Sequence, residues 1–116
     1  SVAPAAAPEA PGAFDLCFLR DFCDGDEAQV QQFLQRFREQ CPLEIEKLEN
    51  ALQGEDREAI YRAAHSFRPQ LEFVGLKYAA ERAFKIEQGA RGSESKETLT
   101  SLLEQLKTIL KKTTQA

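Results

Sequence analysis

The chain carries one histidine, His65, in the stretch AAHSFRPQLEFVG at residues 63–75, with Arg68 three residues on and Pro69 four residues on. A neutral imidazole holds a donor N–H and a basic lone pair on opposite ring nitrogens, so it can serve as nucleophile, base or ligand. On a helix, a residue three positions away is a surface neighbour, which places the Arg68 guanidinium beside anything attached to the ring. Pro69 lacks the N–H that would bond the His65 carbonyl and its ring crowds that carbonyl, at a typical cost of about 3 kcal/mol in a helix interior. Two readings stand for the proline. It is either a kink tolerated on the wet side of a helix, or a flat, donor-poor surface that lets another protein come close to the imidazole.

A nucleophilic histidine needs a group that orients it. Downstream, Leu76, Ala79, Ala80, Ala83 and Ala90 form a stripe of mostly small residues, and Glu87 falls within it, four residues after Ala83. Small residues let two helices approach closely, and a carboxylate at such a seam must reach solvent or find a donor on the neighbouring helix, because burying it unpaired is expensive. If the donor is a ring N–H of His65, Glu87 fixes the tautomer and leaves the other nitrogen as a lone pair facing water. The plainer reading is a glutamate at a helix edge making water contacts, beside a surface histidine and a solvated charge pair.

The elements that must position these residues read as helices almost throughout. FDLCFLRDFC is a short amphipathic helix, ended by Asp24-Gly25-Asp26, with Glu27 three residues after Asp24 as in a capping box. Val30, Phe33, Leu34, Phe37, Cys41, Ile45, Leu48 and Leu52 then recur at spacings of three and four until Gly54, with Pro42 predicting a kink rather than a stop. A third helix is expected from near Asp56 to about Phe73 before Gly75, a fourth from Leu76 to about Ala90, and a fifth after RGSES, carrying Leu99, Leu102, Leu103, Leu106, Ile109 and Leu110. On a wheel of about 100° per residue, Ile60, Ala63, Phe67, Leu71 and Val74 form one stripe of the third helix, and His65 lies roughly 160° from its centre, facing water. Glu58, Arg62, Arg68, Pro69 and Glu72 share that exposed side. No segment alternates as a strand. The expected fold is all-α: an antiparallel up-down four-helix bundle over residues 14–114 with a short additional N-terminal helix, preceded by a flexible Pro/Ala-rich linker or tail at 1–13.

Composition narrows the function classes. The 116 residues carry a net charge of −4, which argues against nucleic acid as partner. No apolar run is long enough for a bilayer, and no charged-then-apolar leader is seen, so neither membrane insertion nor secretion is expected. Cys17, Cys23 and Cys41 are odd in number and sit among apolar residues, which reads as reduced thiols in a cytoplasmic core. The absence of methionine, with the SVAPAAAPEAPGA opening, points to a processed product or a piece of a longer polypeptide. A di-metal carboxylate bundle would need a Glu-x-x-His pair on each of two helices, which one histidine cannot supply. No Gly-rich phosphate loop and no His/Cys/Asp cluster is present, so no nucleotide or metal site is expected.

From Phe14 to about Lys112 the chain resembles the histidine phosphotransfer domains of multistep bacterial and fungal phosphorelays. The resemblance is carried by a histidine, a hydrophobic residue two on, a basic residue three on, a small residue four on and a glycine ten on, here His65, Phe67, Arg68, Pro69 and Gly75. It departs from the family in having arginine for lysine at Arg68 and proline for glycine at Pro69. The resemblance implies that His65 accepts a phosphoryl group from an aspartyl-phosphate receiver domain and passes it to another. It also implies that Arg68 assists electrostatically, and the spacing to Glu87 is similar to that of a ring-binding glutamate or glutamine in several members. The chain would be a carrier without ATP binding or autokinase activity and with no cofactor of its own, Mg²⁺ being supplied by the receiver. Its partner would be the receiver domain of a response regulator or hybrid histidine kinase, with the chain itself a cytoplasmic monomer. Docking would use Phe14, Phe18, Arg62, Pro69 and Glu72, although Phe14, Phe18 and Phe22 also suit a lid on the bundle end. A second class remains open, a non-transferring helical module that docks receiver or other signalling proteins.

Overall fold

A computed structural model describes residues 13–115 of the chain; residues 1–12 of the expected linker lie outside the described residues. Five helices follow one another: α1 (Cys17–Phe22), α2 (Glu27–Gln53), α3 (Arg57–Phe73), α4 (Lys77–Arg91) and α5 (Lys96–Gln115), with no strand among the described residues. The loops between α2 and α5 are too short for crossovers, so successive helices run antiparallel. α3 packs on α2 and α4, and α5 on α4 and α2, which closes the four long helices into a bundle. None of the helices is long and apolar enough to cross a membrane.

The helix starts follow cap chemistry. The Asp56 carboxylate accepts from the Ala59 N–H at 3.1 Å and opens α3 where the sequence places it. At α2 the capping residue is Asp26, which accepts from the Ala28 and Gln29 N–H groups at 3.0 and 3.3 Å. The capping box expected from Asp24 is therefore displaced. Asp24 and Gly25 take φ values of 53° and 79°, turning the chain left-handed, and only Asp26 has the extended backbone a cap needs.

Gly75 ends α3 with φ 73°, a conformation that costs any L side chain. Its carbonyl accepts from the Asp15 N–H at 3.3 Å, and a Cβ there would run into the Asp15 backbone. The glycine thus does two jobs: it turns the chain into α4, and it leaves room for the segment leading into α1 to lie against that turn.

The core runs the length of the bundle. Ile60, Ala63, Phe67, Leu71 and Val74 of the third helix region are buried, as the wheel predicts, with Phe67 fully enclosed, and Ala64 is buried beside them. Along α2 the inward stripe is Val30, Leu34, Phe37, Cys41, Glu44, Leu48, Ala51 and Leu52. Phe33 and Ile45 are only half-buried, and Glu44 takes the inward position three residues after Cys41 and four before Leu48. Pro42 lies inside the unbroken 27-residue α2. α1 contributes Leu19 to the core, while Cys17, expected inside, is exposed at the helix start; Cys23 and Cys41 are buried, and all three thiols are free.

Candidate functional site

The α3–α4 seam is built from small side chains. Ala79, Ala80, Ala83, Gly89 and Ala90 of α4 are buried, which brings the α4 backbone close to α3. A glutamate on that face cannot escape to water. Glu87 has a side chain 7% exposed, and it is satisfied by two donors from α3. His65 Nδ1 lies 3.0 Å from Oε2, and Arg68 Nε donates to Oε1 at 3.1 Å. An ionised carboxylate only accepts, so the imidazole donates to it from Nδ1, and in the neutral ring the lone pair then lies on Nε2. The His65 side chain remains 56% exposed. The chain thus holds its imidazole by one edge and leaves the other in water.

Arg68 is more enclosed than the exposed-face expectation allows, with a side chain 27% exposed. Besides Glu87, its Nη1 reaches Glu72 Oε2 at 3.5 Å, and its guanidinium lies over the Phe84 ring with Cζ 5.1 Å from the centroid. The planar fork explains this capture. One guanidinium bridges carboxylates on two helices while stacking on an aromatic face, which a lysine ammonium does not do.

Of the remaining residues singled out in the sequence, Pro69 is exposed, in a groove with Phe33, Phe37 and Phe73, one helical turn from His65. Phe18 is 59% exposed and meets Phe73 edge-on at 5.7 Å, and Phe22 meets Phe33 and Phe73 in the same way at 5.9 and 5.3 Å. Phe14 precedes α1 and is half-buried, packed edge-on against Phe37 at 6.2 Å. Arg62 is exposed on the other side of α3, where it lines a shallow groove with Lys47 and Asn50 of α2. The structure therefore brings His65, Arg68, Glu87 and Glu72 into one cluster, sets Phe18 and Pro69 around a neighbouring aromatic surface, and leaves Arg62 apart.

Three further residues belong to this site. Tyr61 stacks on the imidazole with centroids 5.4 Å apart and planes at 13°. Arg91 lies over the Tyr61 ring, its Cζ 3.7 Å from the centroid, and Phe84 receives Arg68. Helical spacing carries the signal for each: Tyr61 is four residues before His65, Arg91 four after Glu87, and Phe84 three before it.

The family model described as the Hpt domain matches residues 32–115, a span that includes His65, Arg68 and Glu87. Comparison with curated proteins and with solved structures finds no match.

Proposed function

The chain belongs to the Hpt domain family, whose members carry phosphoryl groups on histidine between receiver domains of phosphorelays, and from that premise we propose that His65 is the phosphoryl acceptor. The observation that supports this most is the pairing of His65 Nδ1 with buried Glu87 at 3.0 Å on a ring that is otherwise exposed. The Nε2 lone pair attacks the phosphorus of an aspartyl phosphate in line. A N–P bond forms as the P–O bond to the aspartate breaks, and the aspartate leaves with the electron pair as a carboxylate. No proton has to move, because Nδ1 keeps its own. The ring becomes a phosphoimidazolium whose charge is offset by Glu87. In the onward step, the aspartate of a second receiver attacks phosphorus and the neutral imidazole departs.

Arg68 holds the Glu87 carboxylate in place through Nε and adds positive charge beside the phosphoryl position. The chain brings no nucleotide and no metal of its own to this step; Mg²⁺ belongs to the receiver. Docking would centre on the exposed side of α3 at Pro69 with the aromatic surface at Phe18, where an apolar patch supplies affinity and the charged rim, including Glu72, supplies selectivity. The His65→Gln variant tests the assignment against a docking module without chemistry. It should bind a receiver domain with unchanged affinity and take up no phosphoryl group. Uptake by His65→Gln would place the acceptor elsewhere, and receiver binding by the unsubstituted chain without any uptake would favour the docking module.

A further inference from the structure

Glu87 restrains His65 along one edge only. Hydrogen bonds tolerate substantial misalignment, and the terminal torsion of histidine is broad and roughly two-fold. One bond at Nδ1 therefore leaves the ring free to tilt. Tilt matters for this chemistry because the Nε2 lone pair lies in the ring plane, so the plane sets the direction from which phosphorus must approach. The Tyr61 ring lies against that plane at 5.4 Å and 13°. The Arg91 guanidinium lies over the Tyr61 ring with Cζ 3.7 Å from its centroid, and Arg91 is in turn placed 4.0 Å from Glu58 Oε2. The contacts of Arg91 with Tyr61 and of Tyr61 with His65 make one stacked group that links the end of α4 to the exposed imidazole.

We propose that Tyr61 is a positioning residue for phosphoryl acceptance: the stack fixes the plane of the imidazole, and Glu87 selects between the two flips that plane permits. The two devices are complementary. A flat aromatic face cannot distinguish a ring from its flipped form, and a carboxylate at one nitrogen cannot hold a plane. Together they aim Nε2 in one direction before a receiver arrives, which lowers the orientational part of the barrier. This inference rests on His65 being the acceptor.

The test measures phosphoryl uptake from a Mg²⁺-loaded phosphorylated receiver domain and from phosphoramidate, a small donor that needs no docking, in the unsubstituted chain, Tyr61→Phe and Tyr61→Leu. Tyr61→Leu keeps apolar bulk and helix propensity but loses the flat face. It should lower the maximum rate roughly tenfold with both donors, while the receiver concentration for half-maximal rate changes by less than about twofold. Tyr61→Phe should stay within about twofold of the unsubstituted chain, because the ring and not the hydroxyl makes the stack. The His65 Hδ2 and Hε1 resonances should shift in Tyr61→Leu and stay in place in Tyr61→Phe, because only the first removes the ring current. A Tyr61→Leu protein at full maximum rate overturns the inference. So does a Tyr61→Phe protein as slow as Tyr61→Leu, or a change confined to the half-maximal concentration, which would make Tyr61 a docking contact. An unsubstituted chain that takes label from neither donor instead overturns the acceptor assignment, and the resonance shifts then report on the stack alone.

Discussion

Glu87 gives one oxygen to His65 and the other to Arg68, and the chemistry of the site turns on that division. Glu87→Ala removes both acceptors; it should slow phosphoryl uptake at least roughly tenfold, and the Nδ1 proton should become exchangeable between ring nitrogens, a change that ¹⁵N shifts of the imidazole report directly. Glu87→Gln keeps a single acceptor atom, which can serve His65 or Arg68 but not both, so its rate should fall between those of the unsubstituted chain and Glu87→Ala. Arg68→Lys keeps the charge and loses the fork that joins Glu87, Glu72 and the Phe84 face. It should weaken uptake less than Glu87→Ala does, since the tautomer-fixing contact survives. Single-turnover uptake from one phosphorylated receiver ranks all three.

Two residues inside helices oppose the elements that carry them. Pro69 sits within α3 and denies the His65 carbonyl its helical donor. Pro69→Ala should restore that bond and raise stability by about 1 to 3 kcal/mol, read as a higher urea midpoint at unchanged slope. Glu44 is buried on α2, where Oε2 meets Gln70 and Lys47 while Oε1 has no hydrogen-bond partner. Glu44→Leu should be stabilising by about 1 kcal/mol, because Gln70 keeps its bond to the Ser66 carbonyl and Lys47 is free to face water. The same two helices show what was legible in the sequence. The α3 stripe, its start near Asp56 and the Gly75 stop follow from spacing and from residue type. So does the outward aim of His65. Glu44 was hidden because a stripe assembled from apolar residues passes over a charged residue at an inward position. The cap at Asp26 was misplaced because Asp24 and Asp26 carry the same side chain, and only the left-handed turn at Asp24-Gly25 decides between them. The direction in which the Arg68 fork would fold was equally unreadable. It depends on Phe84 and Glu87, which are distant in sequence and meet α3 only once the bundle closes.

At the scale of the whole molecule, the three thiols report on how tightly that bundle closes. Burial, with Glu44 nearby adding to it, pushes the Cys41 thiol from its ordinary 9.0 up to about 12. The folded state therefore holds this proton over a range where the unfolded chain releases it. Its contribution to stability is complete below about pH 9 and is lost as pH rises toward the folded value. The stability difference between the unsubstituted chain and Cys41→Ala should accordingly shrink between about pH 8 and about pH 10.5, measured by urea unfolding at each pH. At pH 8 in the folded chain a thiol reagent should modify exposed Cys17 first, although its Asp15 neighbour holds it above the ordinary range, with Cys23 and Cys41 reacting only after denaturation. The central claim concerns what the closed bundle presents to a partner, an imidazole held at one nitrogen and open at the other. The most direct measurement is to incubate the chain and His65→Gln with a Mg²⁺-loaded receiver domain carrying labelled aspartyl phosphate and to follow label onto each. Label on the unsubstituted chain that is acid-labile and base-stable, and absent from His65→Gln, is the predicted result. Equal labelling of His65→Gln, or a bond that survives acid, would contradict it.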